Sequence, residues 1–329
     1  MKFMNIKYLF ISILLFVSTA FFTFSYAVND IDVSDDVFLD RFIIEMVTEN
    51  IYVIHGFNES PNSTNRGFIN NPSFVVADSG VIVIDPGSRN EVGQIVLKRI
   101  SQITSLPVIA IFNTHEHGDH WLANQAILDK YPNIPIYAHA DMIESINQGI
   151  GKHWLNIMKQ LTEDPLVNTS IAVPTHEVHA NDEIVFDNLT FKIHHYGPSH
   201  THNDIMIEVV ELDTIFLGDN VLNKRMPHLD DGDIVGNITT VNEVLKLNCK
   251  YFIPGHGSPG MKTIAEEYLE YLTLLHQSVE QHYHEGKSDF EMKDAIKDSM
   301  VKFSSWVDFE QELGKNISLV YLQVERDDF

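Results

Sequence analysis

The chain has 329 residues, 44% of them hydrophobic and 21% charged, enough apolar material for one large core or two modest ones. Its 46 acidic residues outnumber 22 basic ones for a formal net charge of −24, and a surface that acidic repels phosphate backbones, which argues against nucleic acid as substrate or partner. A single cysteine, Cys249, excludes an internal disulfide and leaves the fold to core packing.

Lys2 and Lys7 precede an apolar stretch from Tyr8 to Phe24, and Ser25-Tyr26-Ala27 supplies small residues at a cleavage site. This layout predicts a signal peptide over residues 1–27, cut after Ala27, and a periplasmic or secreted protein with no stable membrane anchor. The stretch also approaches the ~20 residues of a spanning helix, but the cleavage site and the acidic sequence beyond it favour removal.

A linker is expected over residues 28–45, a main domain over 46–262 with a helical insertion at about 140–180, and a helical extension over 263–329 packed on the same domain. Apolar runs predict strands at 51–54, 73–76, 81–84, 107–112, 134–137, 183–186, 190–195, 205–210, 214–217 and 251–253. Helical spacing marks 90–105, 121–129, 139–163 with a break at Gly149 and Gly151, 238–247, and most of the chain after Met261. Strands and helices alternate in two blocks, an α/β arrangement in which loops at one edge of paired sheets can build a site. Cys249 precedes a strand and reads as a small buried hydrophobe.

The sharpest motif is His115-Glu116-His117-Gly118-Asp119-His120, directly after a β-run. His115 and His117 point the same way in an extended turn, while Asp119 and His120 face a neighbouring point, so one loop can feed two adjacent metal positions. Imidazole nitrogen with carboxylate oxygen is the donor set of catalytic zinc. Three further loops each place one ligand-type residue after a strand and beside a glycine: His200 in Gly197-Pro198-Ser199-His200-Thr201, Asp219 in Gly218-Asp219-Asn220, and His256 in Pro254-Gly255-His256-Gly257. The remaining histidines match no motif, although His202 competes with His200, and His153 and His228 lie in stretches that could overhang the site.

In this order the motifs over residues 50–260 resemble the metallo-β-lactamase-fold hydrolase superfamily. The resemblance implies a four-layer αβ/βα sandwich with its metal site at one edge of two packed sheets. It implies His115, His117 and His200 as ligands of a first metal and Asp119, His120 and His256 as ligands of a second, with Asp219 bridging. Asp85, in Ile84-Asp85-Pro86-Gly87, matches a motif whose aspartate orients the ligands. Two zinc ions are implied as cofactors, with iron or manganese also compatible with the donors.

The implied reaction is hydrolysis of an ester, thioester, lactone or amide-type bond of a small molecule by a metal-bridging hydroxide, with Asp119 as catalytic proton carrier and β-lactamase-like side activity. Asp219 stands where the commonest β-lactamases carry cysteine, which argues against a dedicated β-lactamase. His117 stands where diiron oxidoreductases carry glutamate, which argues against that branch. An iron-dependent persulfide dioxygenase of the same fold is the alternative from another chemical class. The stretch from Gly218 to Pro227 is similar to exported zinc metallohydrolases associated with quinoprotein and sulfur-oxidation systems. Its cations Lys224 and Arg225 are candidate substrate contacts, set against a plain role in balancing Asp230, Asp231 and Asp233. The insertion carries Trp154, Leu155, Ile157 and Met158, either as a cap on the cleft or as a peripheral helix.

Overall fold

A computed structural model describes residues 41–328, so the leader expected over residues 1–27 lies outside the described residues. The first half runs β1 (Ile44–Met46), β2 (Ile51–Ile54), β3 (Ser73–Val76), β4 (Val81–Ile84), α1 (Asn90–Ile103), β5 (Val108–Phe112), α2 (Gly118–Trp121), α3 (Asn124–Lys130), β6 (Ile136–His139), α4 (Ala140–Ser145), a π-helical turn (Ile146–Ile150) and α5 (Gly151–Leu161). The second half runs β7 (His176–Val178), β8 (Glu183–Phe186), β9 (Leu189–His194), β10 (Met206–Val209), β11 (Thr214–Gly218), α6 (Ile234–Val244), β12 (Tyr251–Pro254), α7 (Thr263–His284), α8 (Asp289–Ser299) and α9 (Phe309–Asp327).

Two mixed sheets result. Seven strands lie in sequence order from β1 to β7, and five lie in the order β12-β11-β10-β9-β8. Pairing is parallel from β4 through β7 and between β11 and β12. The layering follows from strands that are apolar on both faces. In β4, Ile82 and Ile84 turn into the space between the sheets with Phe112, Phe191, Ile207 and Phe216. Val81 and Val83 turn the other way, onto Val92, Ile95 and Val96 of α1. In β11, Phe216 faces the sandwich interior while Ile215 and Leu217 pack under Val241, Tyr268 and Leu272 of α6 and α7. Helix, sheet, sheet, helix is the order of the four layers.

The C-terminal helices share the core on the outer face of the five-stranded sheet, where Tyr268, Tyr271, Leu272 and Leu275 are buried with Phe303, Leu313 and Ile317. Full burial of each such side chain is worth about 1.5–3 kcal/mol. No helix among the described residues is long and apolar enough to cross a membrane.

Several boundaries differ from expectation. Ile44 and Glu45 fall in the expected linker but already belong to β1, which pairs antiparallel with β2. β7 escaped the sequence because His176 and Glu177 are exposed and leave no apolar alternation. The helix expected from Trp121 starts instead at Gly118 and breaks at Leu122 and Ala123 before α3. α6 begins at Ile234, ahead of the expected start, because the Asp233 side chain accepts a hydrogen bond from the Gly236 N–H and caps it.

Candidate metal centre

The carboxyl ends of β4, β5, β11 and β12 and the loop after β9 open on one edge of the sandwich. Each delivers a polar residue there because its strand is anchored by buried apolar neighbours while its last peptide turns. β5 ends at Phe112, and the following loop places His115, His117, Asp119 and His120 within eight residues of buried core, all four themselves buried. His200, Asp219 and His256 arrive from the other sheet and are equally buried.

The seven residues meet. Donor atoms of His115, His117 and His200 lie within 4.8 Å of one another, and so do those of Asp119, His120 and His256. A third group, His115, His120 and Asp219, joins the first two. Asp219 spans them: Oδ2 is 3.2 Å from His256 Nε2 and 3.7 Å from His200 Nε2, and Oδ1 is 3.3 Å from His120 Nε2. The Oδ2 atom of Asp119 is 3.2 Å from His256 Nε2.

These donors fit bound cations. Among the described residues, His115 Nε2, His120 Nε2 and Asp219 Oδ1 are buried with no hydrogen-bond partner, and a buried polar atom without a partner carries a desolvation cost that a cation would offset. Backbone approaches closely as well: a Cβ on Gly255 would stand 2.0 Å from Asp219 Oδ1, so only glycine fits beside that carboxylate.

Burial alone would raise the carboxyls of Asp119 and Asp219, but the imidazoles of His120 and His256 outweigh it and hold both well below the usual carboxylate range. In return, Asp219 and Asp119 lift His120 and His256 against the burial that would lower them. His200 is pushed down to about 3 by burial and by His117, and His115 is lowered by burial and by His120 and His117. Without metal the carboxylates are therefore charged and His115 and His200 neutral, as ligands must be, whereas His120 and His256, held up by the carboxylates, would release their protons on binding a cation.

Outer contacts fix the ring orientations. Asp85 Oδ2 is 2.8 Å from His120 Nδ1 and accepts from Thr114 Oγ1 at 2.7 Å, while Oδ1 accepts from the Thr114 N–H at 2.8 Å. Asp85 sits at φ 51°, a left-handed conformation uncommon for a residue with a side chain. His117 Nε2 is 3.1 Å from Asp231 Oδ2, and its Nδ1 is 3.0 Å from His200 Nε2. His256 Nδ1 lies 2.7 Å from the Ile69 carbonyl oxygen and 2.9 Å from Arg225 Nη1.

The other candidates separate. His202 is exposed and joins none of the three groups. His228 lines the cleft above the cluster, whereas His153 is exposed beside Trp154. Lys224 and Arg225, adjacent in sequence, diverge: the Lys224 ammonium meets Glu267 on the surface, away from the cleft, while Arg225 is buried against His256. Trp154 of the insertion stands over His117 at 4.5 Å between ring centroids, and Ile157, Met158 and Leu161 line the cleft with it. Sequence reasoning treated Asp231 as a solvated charge and did not see Thr114, the Ile69 carbonyl, or Glu312 and Lys315 of α9 in the cleft wall. No spacing signal links these positions to the motifs. Cys249 is half-buried, and burial together with Glu208 pushes its thiol up to about 12, far from a nucleophile.

The model of the metallo-beta-lactamase superfamily matches residues 65–256. Among curated proteins, a hydroxyacylglutathione hydrolase of Microcystis aeruginosa is 40% identical over 55 residues, covering 17% of this chain and 20% of that protein. A hydroxyacylglutathione hydrolase of Xylella fastidiosa is 24% identical over 160 residues, 49% of this chain and 48% of that protein. This chain thus spans no more than about half the length of either relative. Among solved structures, the stereoselective inverting sec-alkylsulfatase Pisa1 from Pseudomonas sp. matches 86% of this chain and 50% of its own with TM-score 0.67 at 15% identity. A metallo-beta-lactamase from Pontibacter korlensis matches 70% of this chain and 99% of its own with TM-score 0.55 at 15% identity. With more than half of its length matched by the family model, and with paired sheets and a buried His/Asp cluster at their edge, the chain belongs to the metallo-beta-lactamase superfamily.

Proposed function

We propose that the chain is an exported dizinc hydrolase that cleaves an ester or thioester bond of a small molecule. The observation that carries this reading is the pair of adjacent donor groups, His115/His117/His200 and Asp119/His120/His256, with Asp219 in reach of both. A one-metal oxygenase needs only the first group. The completeness and burial of the second support a pair of ions and hydrolysis over the dioxygenase alternative. Thioester cleavage is supported by the partial matches to hydroxyacylglutathione hydrolases. Export rests on residues 1–27 alone.

Bound there, a metal pair supplies Lewis acidity, acidifying water to a pKa of about 7 and drawing electron density from the bond under attack. The protein's own groups do the rest. Asp119 opens onto the cleft, and its carboxylate, held ionised by His120 and His256, orients the attacking water, takes its proton and passes it to the leaving oxygen or sulfur. Asp85, Asp231 and the Ile69 carbonyl hold three of the imidazoles in fixed orientation. Trp154 and its apolar neighbours exclude bulk water from one side.

Purified protein is assayed against 4-nitrophenyl esters and acyl thioesters, with metal content measured by plasma mass spectrometry. The proposal expects two zinc ions per chain and loss of turnover on chelation, restored by zinc. Full turnover after chelation, or oxygen uptake with iron and no hydrolysis, would overturn it.

A further inference from the structure

The donors His200 and Asp219 reach the cluster on separate loops, after β9 and β11, and β10 lies between those two strands. No strand pairing therefore ties one loop to the other, yet His200 Nε2 and Asp219 Oδ2 stand 3.7 Å apart. One side chain joins the loops. Asn237, at the start of α6 and only 1% exposed, donates through Nδ2 to Ser199 Oγ at 2.9 Å and to the Asn220 carbonyl oxygen at 3.0 Å. Ser199 precedes His200 in the chain, and Asn220 follows Asp219. Among the described residues no other side chain is hydrogen-bonded to both loops. The direction of the amide is forced: the Asn220 carbonyl can only accept, so the amide nitrogen faces it, and the amide oxygen is left for the Tyr268 hydroxyl, which donates at 3.4 Å. Tyr268 is buried on α7, beyond the residues that the family model matches. The backbone of α6 grips the His200 loop as well. The Asp233 N–H donates to the Ser199 carbonyl at 2.9 Å, and a Cβ on Gly236 would stand 2.0 Å from the Pro198 carbonyl oxygen. Ile234 and Val241, on the same face of α6 as Asn237, are apolar core residues. An amide in that position is costly unless its groups are bonded, and here both ends are.

We infer that Asn237 is a positioning residue of the metal centre: its amide sets the distance between His200 and Asp219, and with it the affinity of the ion held by His115, His117 and His200. This rests on the two-metal reading of the same cluster and names the residue that tunes one ion apart from the other. The first donor group draws on both clamped loops, through His200 and through Asp219 as bridge. The second, Asp119, His120 and His256, shares only Asp219. Loss of the clamp therefore weakens the first ion more than the second.

Stepwise zinc affinities are measured by competition with a chromophoric chelator, and His117→Ala, in which only the second group is complete, marks the step belonging to that group. Asn237→Leu keeps the volume and removes every bond of the amide. It should weaken the first ion by about 10- to 100-fold and the second by far less. Ser199→Ala removes one of the two clamping bonds and is mild enough to fold; it should weaken the first ion by about 3- to 10-fold. Added to Asn237→Leu it should cost nothing more, because its partner is already gone. Thr240→Val is the control. Thr240 is equally buried on the same helix, its hydroxyl has no hydrogen-bond partner among the described residues, and its loss should leave both affinities unchanged. Cobalt(II) in place of zinc gives a second readout: the visible absorption of the first ion should shift in Asn237→Leu and stay put in Thr240→Val. Unchanged affinity for the first ion in folded Asn237→Leu, or in Ser199→Ala should Asn237→Leu not fold, would overturn the inference. Equal loss of both ions, or the same loss in Thr240→Val, would overturn it too, since either marks a general loosening of α6. Ester hydrolysis with unchanged affinities would sink the Asn237 assignment alone. A weakened first ion in a protein that hydrolyses no ester or thioester would sink the hydrolase reading and leave Asn237 in its role.

Discussion

Replacing Asp85 with asparagine removes one charge while keeping the shape of the side chain. The backbone should not object, since asparagine is among the residues that best tolerate the left-handed φ of 51° found there. What changes is the donor count. Asp85 accepts from the Thr114 N–H, from Thr114 Oγ1 and from His120 Nδ1, all within 2.8 Å. An amide has one oxygen for these three donors. If that oxygen stays on the Thr114 N–H, the new NH₂ faces His120 Nδ1. The ring must then carry its proton on Nε2, the atom now turned, unpartnered, toward Asp219 and Asp119. If the amide flips, its NH₂ meets the Thr114 N–H, leaving a buried donor unpaired at about 1–3 kcal/mol. Either outcome lowers affinity for the metal held by His120 by about 10- to 100-fold, or about 1.4–2.7 kcal/mol. Competition of zinc against a chromophoric chelator at pH 7.5 measures this, with near-ultraviolet circular dichroism as the fold control. A folded Asp85→Asn protein with unchanged affinity for both ions refutes the reasoning.

His117→Ala should leave one of the two donor groups incomplete, so zinc content falls toward one per chain and ester turnover drops about 100-fold or more; two retained ions would count against the assignment. Gly255→Ala sets a methyl only 2.0 Å from Asp219 Oδ1, and metal stoichiometry should fall with the carboxylate's displacement, whereas an ordinary two-metal protein would show that the loop can yield. Asp204 is raised to about 6 by burial, despite the Thr201 N–H and hydroxyl that donate to it. An acid with a raised folded pKa stabilises the protein at low pH, and that share is lost as pH climbs from about 4 to about 6, here on the order of 3 kcal/mol. Urea unfolding of metal-free protein at pH 4.5 and 7.5 should show Asp204→Asn lacking this decline; identical slopes in both proteins would contradict it.

The fold and the cluster were legible for a shared reason. Runs such as Val81–Ile84 and Thr214–Gly218 are apolar on both faces, so pattern alone marks them as buried strands, and each ligand-type residue follows such a strand beside a glycine. Asp85 came from the resemblance instead, through Ile84-Asp85-Pro86-Gly87. Asp231 was not legible: it meets His117 across 114 positions, a pairing made by tertiary structure with no local trace. The split between Lys224 and Arg225 was hidden too. Lys224 adopts a left-handed φ of 58° that sends it outward, while Arg225 joins a single bridge to Val307, a strand-like contact to a segment more than eighty positions away. β7 stayed invisible because an edge strand with exposed polar residues carries no hydrophobic period.

The seven donors divide between the halves of the sandwich. Four come from the loop after β5 and the short α2 that follows it in the seven-stranded half, and His200, Asp219 and His256 come from the five-stranded one. An ion seated among them would be gripped from both halves, so the spacing of its donors is set by how the two sheets pack along the seam filled by Phe112, Phe191 and Phe216. A slip of one sheet against the other would pull the two sets of donors apart. The core that sets the fold thereby also gauges the metal centre.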